Sequence, residues 1–256
     1  GKTFVAWNWK ANGTGSANTD GSINSTVSAN TTSGFSIVSY TGNSTAGATV
    51  GHGLGVTPKM VTVKKRSASG FNWVTQHASI FDSSDTIVAL DSTDVAYTQG
   101  VANFNGTAAG SSVFTIGGGG NTNDNGATYI AYCFAEKQGY SKFSSYIGNG
   151  NADGTFVYTG FKPAFVMSKA SSDNKHWVTF DNKRANTFNP QNERILVSAN
   201  SVAYEDNNRA IDFLSNGFKL RDNGTDSSSV NDTGRTQIYM AFAEAPLVGS
   251  NNVPCT

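Results

Sequence analysis

Charge is what this chain has least of. Its 256 residues include 18 basic and 18 acidic side chains, with no net charge, and charged residues are only 14% of the total. Such a surface sets up no long-range field for nucleic acid or an anionic membrane to follow, which disfavours both as partners. Cysteine is nearly missing too. Cys133 sits in an apolar run and Cys255 next to the C-terminus, a spacing that points to neither a metal site nor a disulfide framework. No run approaches the ~18 apolar residues of a membrane-spanning helix. No signal peptide is expected either, because the chain opens in a strand-like run, Thr3-Phe4-Val5-Ala6-Trp7-Asn8-Trp9. We therefore expect it to be a piece of a longer polypeptide.

The catalytic motifs are missing as well. There is no G-x-S-x-G elbow, and Gly117-Gly118-Gly119-Gly120 lacks the Lys-Ser/Thr that a phosphate loop requires. The three histidines, His52, His77 and His176, have no H-x-x-H or Cys–His spacing around them. They are expected to be ordinary loop or surface histidines. No enzyme activity and no cofactor or metal is expected.

What is abundant is glycine, 28 residues, with Ser, Thr and Asn crowded between apolar runs. This is the composition of short strands joined by polar turns. The chain also repeats itself. Gly34-Phe35-Ser36 is echoed by Gly139-Tyr140-Ser141, and Ser39-Tyr40-Thr41-Gly42-Asn43 by Ser145-Tyr146-Ile147-Gly148-Asn149. Gly55-Val56-Thr57-Pro58 returns as Gly160-Phe161-Lys162-Pro163, Lys64 as Lys169, and Trp73-Val74-Thr75 as Trp177-Val178-Thr179. Val95-Ala96-Tyr97 returns as Val202-Ala203-Tyr204, and Phe114 as Phe218. Each copy closes on the same tripeptide, Phe134-Ala135-Glu136 and Phe242-Ala243-Glu244. The offset stays between 104 (Trp73 to Trp177) and 108 (Phe134 to Phe242), so the blocks keep one order at nearly one spacing.

Within a copy, apolar residues recur with period two: Phe35 and Ile37 alternate with Ser36 and Val38, and Ile130, Tyr132 and Phe134 with Ala131 and Cys133. Turn signals such as Asn105-Gly106, Asn125-Gly126 and Asn216-Gly217 separate the runs. The fold class predicted is all-β: two tandem antiparallel β-sandwich domains related by internal duplication. Residues 33–137 form the first and residues 138–256 the second with a C-terminal tail. Residues 1–32 are expected to be a strand completing a preceding unit plus a Gly/Ser/Asn-rich linker, since Phe4 to Trp9 resembles the closing strand Tyr129 to Phe134. The short junction Lys137-Gln138 predicts that the copies pack together. The extra residue in Ser141 to Tyr146, relative to Ser36 to Tyr40, predicts a bulge.

Two acidic loops imitate cation sites, Asn121 to Gly126 and Asp222 to Asp226. The first has Tyr132 where a bidentate Glu is needed, and both read as Asx-type turns. Glu136 and Glu244 repeat with the fold, so their recurrence is no sign of a glycosidase pair. The candidate binding residues are Trp73 and Trp177, each followed by a polar group at an equivalent place, His77 or Asp181. An aromatic face beside a hydrogen-bonding group is how neutral lectin sites hold a sugar ring. Against that stands the simpler reading that each Trp packs into its core.

Several long phrases carry a resemblance. Phe4-Val5-Ala6-Trp7-Asn8-Trp9-Lys10-Ala11-Asn12, Gly51-His52-Gly53-Leu54-Gly55-Val56-Thr57-Pro58-Lys59-Met60 and Tyr239-Met240-Ala241-Phe242-Ala243-Glu244-Ala245-Pro246 are similar to segments of virion-associated proteins of marine tailed bacteriophages. In that family such segments form the C-terminal part of longer tail-fibre-like or other structural polypeptides. The resemblance implies a place on the virion surface, contact with other virion proteins, attachment to host cell-surface polysaccharide, and a homo-oligomer, trimers being the habit of phage fibres. It implies no catalytic residues. The phrase spanning Gly55, Pro58 and Lys64 is also similar to small β-sandwich lectins of the H type. A head-decoration role without a ligand is the alternative, with a polysaccharide depolymerase behind it.

Overall fold

The computed structural model describes residues 5–184, 188–198, 204–205, 210–223 and 226–244. Among them every regular element is a strand, so no helix is present that is long and apolar enough to cross a membrane.

The first half contains β1 (Ser16–Asn18), β2 (Ser25–Asn30), β3 (Phe35–Thr41), β4 (Ala48–Gly51), β5 (Met60–Lys65), β6 (Val74–His77), β7 (Thr86–Ala89), β8 (Tyr97–Thr98), β9 (Val113–Ile116) and β10 (Thr128–Phe134). The second contains β11 (Ser141–Ile147), β12 (Phe156–Tyr158), β13 (Pro163–Ala170), β14 (Val178–Asp181), β15 (Glu193–Leu196), β16 (Tyr204–Glu205), β17 (Ile211–Leu214), β18 (Gly217–Leu220) and β19 (Thr236–Ala243). The large sheet of the first half runs β1-β2-β3-β10-β5-β6-β7-β8, that of the second β11-β19-β13-β14-β15-β16. Under the repeat offset the last six strands of one are the six of the other, in the same order. Each large sheet faces a small one, β4-β9 and β12-β18-β17.

The correspondence extends to single hydrogen bonds. Tyr40 donates its hydroxyl to the Thr122 carbonyl at 2.8 Å, and Tyr146 to the Val230 carbonyl at 2.8 Å. Asn123 accepts from the Asn43 N–H, and Asn231 from that of Asn149. A Cβ on Gly42 would lie 2.4 Å from the Asp124 carbonyl oxygen, and one on Gly148 2.3 Å from that of Asp232, so both turns require glycine. The first of the loops that imitate cation sites is thereby occupied: the Asn123 amide donates to the Thr45 and Gly117 carbonyls, and Asp124 pairs with Lys65. Among the described residues no three His, Cys, Asp or Glu side chains converge as a metal would need.

Three apolar cores result from the period-two pattern. Val38, Val61, Tyr129 and Ala131 point to the first small sheet, and Val166, Val178, Phe218 and Tyr239 fill the second sandwich. The opposite faces of the two large sheets bring Phe35, Met60, Phe134, Phe165, Trp177, Met240 and Phe242 into one further cluster. Each side chain of this size, once buried, contributes about 2–3 kcal/mol. The two sandwiches are thus joined by one core to which both large sheets contribute.

Three expectations are corrected. Residues 16–18 and 25–30 are not linker but β1 and β2, which extend the first large sheet through pairs such as Val27↔Val38. Ile23 and Val27 drive this by entering the first core, although the residues around them are polar. Residues 5–10 are not a strand; they lie as an irregular strap across the third core, with Trp9 against Phe134, Phe165 and Phe242. Residues 1–4 and the tail from Ala245, including Cys255, lie outside the described residues. The β11–β19 ladder is regular, and the register shift falls instead in β13, between Pro163 and Phe165, where a proline offers no N–H.

Candidate functional site: the seam between the sandwiches

The four sequence candidates all fall on the faces of β6 and β14 that look toward the other copy, or just before those strands. They serve different ends. Trp177 is buried and its indole N–H donates to the Ala89 carbonyl of the first sandwich at 2.9 Å. His77 is buried with its Nε2 3.2 Å from the Tyr239 carbonyl of the second, while its Nδ1 accepts from the Ser79 N–H. The tautomer with the proton on Nε2 satisfies both contacts. Burial pushes this imidazole down to about 4, so it is neutral at ordinary pH.

Asp181, the counterpart of His77, is 4% exposed and fully engaged. It receives the Trp7 indole N–H at 3.2 Å, the Arg184 Nε at 2.6 Å and two backbone N–H groups. Arg184 also lies 5.8 Å from the Trp7 ring centroid. His77, Trp177 and Asp181 therefore hold the sandwiches and the strap together, and none of them presents a free face to a ligand. The other two histidines also answer to backbone or hydroxyl groups: His52, buried, faces the Gly110 carbonyl, and His176 faces the Ser198 hydroxyl. Loop or surface positions were expected of the histidines: His52 is in a loop but buried, and His77 is buried in a strand, β6. Burial also pushes the Cys133 thiol up to about 12, which makes it a poor nucleophile.

Trp73 behaves differently. It is half-buried and stacks on Tyr132, with ring centroids 6.0 Å apart and planes 15° from parallel. Lys64 lies 5.6 Å from its centroid and pairs with Asp91 at 3.8 Å. Asp91 accepts the Trp73 backbone N–H as well. Beside these residues the third core opens into a groove of about 400 Å³, lined by Trp7, Trp9, Ile37, Leu90 and Met167 with Asn8, Thr62 and Thr179 as its polar members. The strap roofs one side of it.

The sequence identified Trp73 and missed its surroundings. Trp7 and Trp9 were read as part of a strand, Lys64 as part of a repeated, lectin-like phrase, and Tyr132 as one residue of an alternating run. The usable signal was the pairing of Lys64 with Trp73 at facing ends of consecutive strands. Glu136 and Glu244 face no common cleft partner: Glu136 binds Lys142 and the Phe143 N–H, and Glu244 binds Lys183 and Asn182.

Residues 1–246 match the model of a family described as a domain of unknown function, DUF7483, and the chain belongs to that family. No curated protein and no solved structure matches it.

Proposed function

We propose that this chain is a non-catalytic structural protein on the surface of a tailed-bacteriophage virion, a fibre or appendage module that meets host-envelope polysaccharide at the seam groove. The phage assignment rests on the sequence resemblance. The glycan reading rests on one observation: of the two repeated tryptophans, Trp177 is consumed in joining the sandwiches and Trp73 stays half-exposed beside a charged pair and an aromatic-lined groove. An apolar ring face with hydrogen-bonding groups at its rim suits a neutral sugar ring. Such contact survives the high salt of sea water, which screens purely Coulombic adhesion.

Glycan-array binding tests the reading. Trp73→Ala should abolish retention while lowering the melting temperature by only about 2–4 °C; retention equal to that of the parent removes the groove as the site. The third core favours a second reading, a plain head or tail structural component, because it gives a stiff two-sandwich body whether or not a ligand exists. Gold-labelled antibody on intact virions separates the two. Label on the head with no glycan retention leaves only the structural role.

A further inference from the structure

The two sandwiches differ on the flank where large and small sheets part. In the first, β3 is interior: β10 lies on one side and β2 on the other, paired from Ser25↔Tyr40 to Asn30↔Phe35. The same segment reaches the small sheet, where the Ile23 N–H donates to the Thr49 carbonyl at 3.0 Å. One extended stretch, residues 21–30, thereby closes both sheet edges at once.

In the second sandwich the equivalent strands are β11 and β12. Among the described residues β11 pairs with one strand, β19, and β12 with one, β18. Three large apolar side chains stand exposed on this flank: Ile147 (54%), Phe156 (44%) and Tyr158 (64%). The Thr155 hydroxyl donates to the Ile147 carbonyl at 2.9 Å, which holds the ends of the two strands together. The flank is not a hole in the core. Phe161, at the place of the exposed Val56, is buried in the second core and seals it.

The backbone points the same way. The Phe143 N–H donates to the Glu136 carboxylate at 3.2 Å, so it faces away from β19. The β11–β19 register is unbroken, and by alternation the N–H groups of Ser145 and Ile147 also face away. A Lys142–Glu136 ion pair guards one end of the edge, a usual defence of an exposed strand. From Ser144 to Ile147 no charge guards it.

We infer that this flank is a docking edge for an extended, uncharged polypeptide strand of a neighbouring protein, added antiparallel to β11 as β2 is added to β3. Backbone hydrogen bonds supply the affinity. Ile147 and Phe156 alternate with the buried Tyr146 and Val157 and so face away from the second core, where they flank the added strand rather than receive a core-directed side chain such as Val27. This edge is separate from the seam groove, and its fate does not depend on the glycan reading.

The test uses the intact chain and a labelled synthetic peptide of residues 21–32. Saturable binding is expected, with a photo-crosslinker on the peptide marking β11 or β12. Ser145→Pro removes one outward N–H and should weaken binding at least tenfold. If that variant folds poorly, an N-methylated peptide, which leaves the protein untouched, should lose as much. Self-association of the chain that excess peptide dissolves would assign the neighbouring strand to a second copy and support the edge. No saturable binding, equal binding of the N-methylated peptide, or crosslinks confined to β3 would overturn the inference. So would slow hydrogen exchange at the Ser145 amide in the isolated chain, since the edge would then already be covered.

Discussion

Trp73 and Trp177 stand at equivalent places before equivalent strands, yet one faces a groove and the other a carbonyl of the opposite sandwich. The lysines of the repeat diverge with them. Lys64 sits in a half-exposed pair with Asp91, whereas Lys169 is wholly buried and donates to the carbonyls of Thr93 at 3.2 Å, Ala170 at 2.9 Å and Asp173 at 3.4 Å. Thr93 belongs to the first sandwich, so this ammonium is also a joint. The seam is closed at the Trp177–Lys169 end and open at the Trp73–Lys64 end. A repeated residue thus inherits its place in the fold but not its surroundings, which come from the partner face.

The largest expected difference follows directly. Trp177→Ala removes a buried indole from the third core and leaves the Ala89 carbonyl without its donor, for a loss of about 3–5 kcal/mol. Trp73→Ala should cost about 1 kcal/mol, in line with a half-exposed side chain. Urea unfolding of the two variants measures both, and similar losses would mean that the seam has no closed end.

Acid sharpens the same comparison at the next pair, His77 against Asp181. Burial pushes the His77 imidazole down to about 4, with the Tyr239 carbonyl pulling the other way, against about 6.5 in the unfolded chain. Between those values the unfolded chain binds more protons, so stability rises with pH across the window and is complete above it. Lowering the pH from 7 to 4 should therefore cost about 3 kcal/mol through this one group. His77→Gln should flatten that part of the stability profile. An unchanged slope would assign the acid sensitivity elsewhere.

The lysine pair gives a smaller effect. Lys169→Met strands the carbonyls that its ammonium now serves, and should lose about 2 kcal/mol. Lys64→Met should lose under about 1 kcal/mol, since its pair is partly solvated. Burial lowers the folded Lys169 to about 8 from its ordinary 10.5. The desolvation penalty is thus present below pH 8 and relieved as pH rises through 10.5, a gain in stability that Lys169→Met should lack. Thermal melts at pH 7.5 and pH 10 read the difference.

Much of this was legible in the sequence. Alternation of Phe35 and Ile37 with Ser36 and Val38 gave strands, and the repeat blocks located equivalent ones. What alternation could not say is that the second face of β3, β5 and β10 is covered by the other sandwich, where Thr62 is buried and Ile37 and Tyr132 are half-buried. β1 and β2 were hidden because β2 contributes only Val27 and, partly buried, the small Ala29 to the first core, and its other residues are small and polar. The strap was misread because Trp7 and Trp9 alternate as a strand would, while their partners are rings on both large sheets rather than a backbone edge. Which tryptophan stays open depends on side chains contributed from some ninety residues away, such as Ala89 for Trp177. No local pattern carries that.

The smallest difference lies between Glu136 and Glu244, which close equivalent strands. Glu136 is partly sheltered, takes the Lys142 ammonium at 2.8 Å and caps the Phe143 N–H on the open edge of β11. Glu244 is exposed and pairs with Lys183. Glu136→Gln keeps an acceptor for the Phe143 N–H but loses the charge, and should cost about 0.5 kcal/mol, fading as salt rises. Glu136→Ala removes the acceptor too, so it should cost about 1 kcal/mol and speed hydrogen exchange at Phe143. Glu244→Gln should leave the melting temperature unmoved at any salt concentration, because solvent already serves both partners. If Glu136→Ala leaves the Phe143 amide as protected as before, the carboxylate is not what holds that end of the edge shut, and the guarded and unguarded halves of β11 become alike.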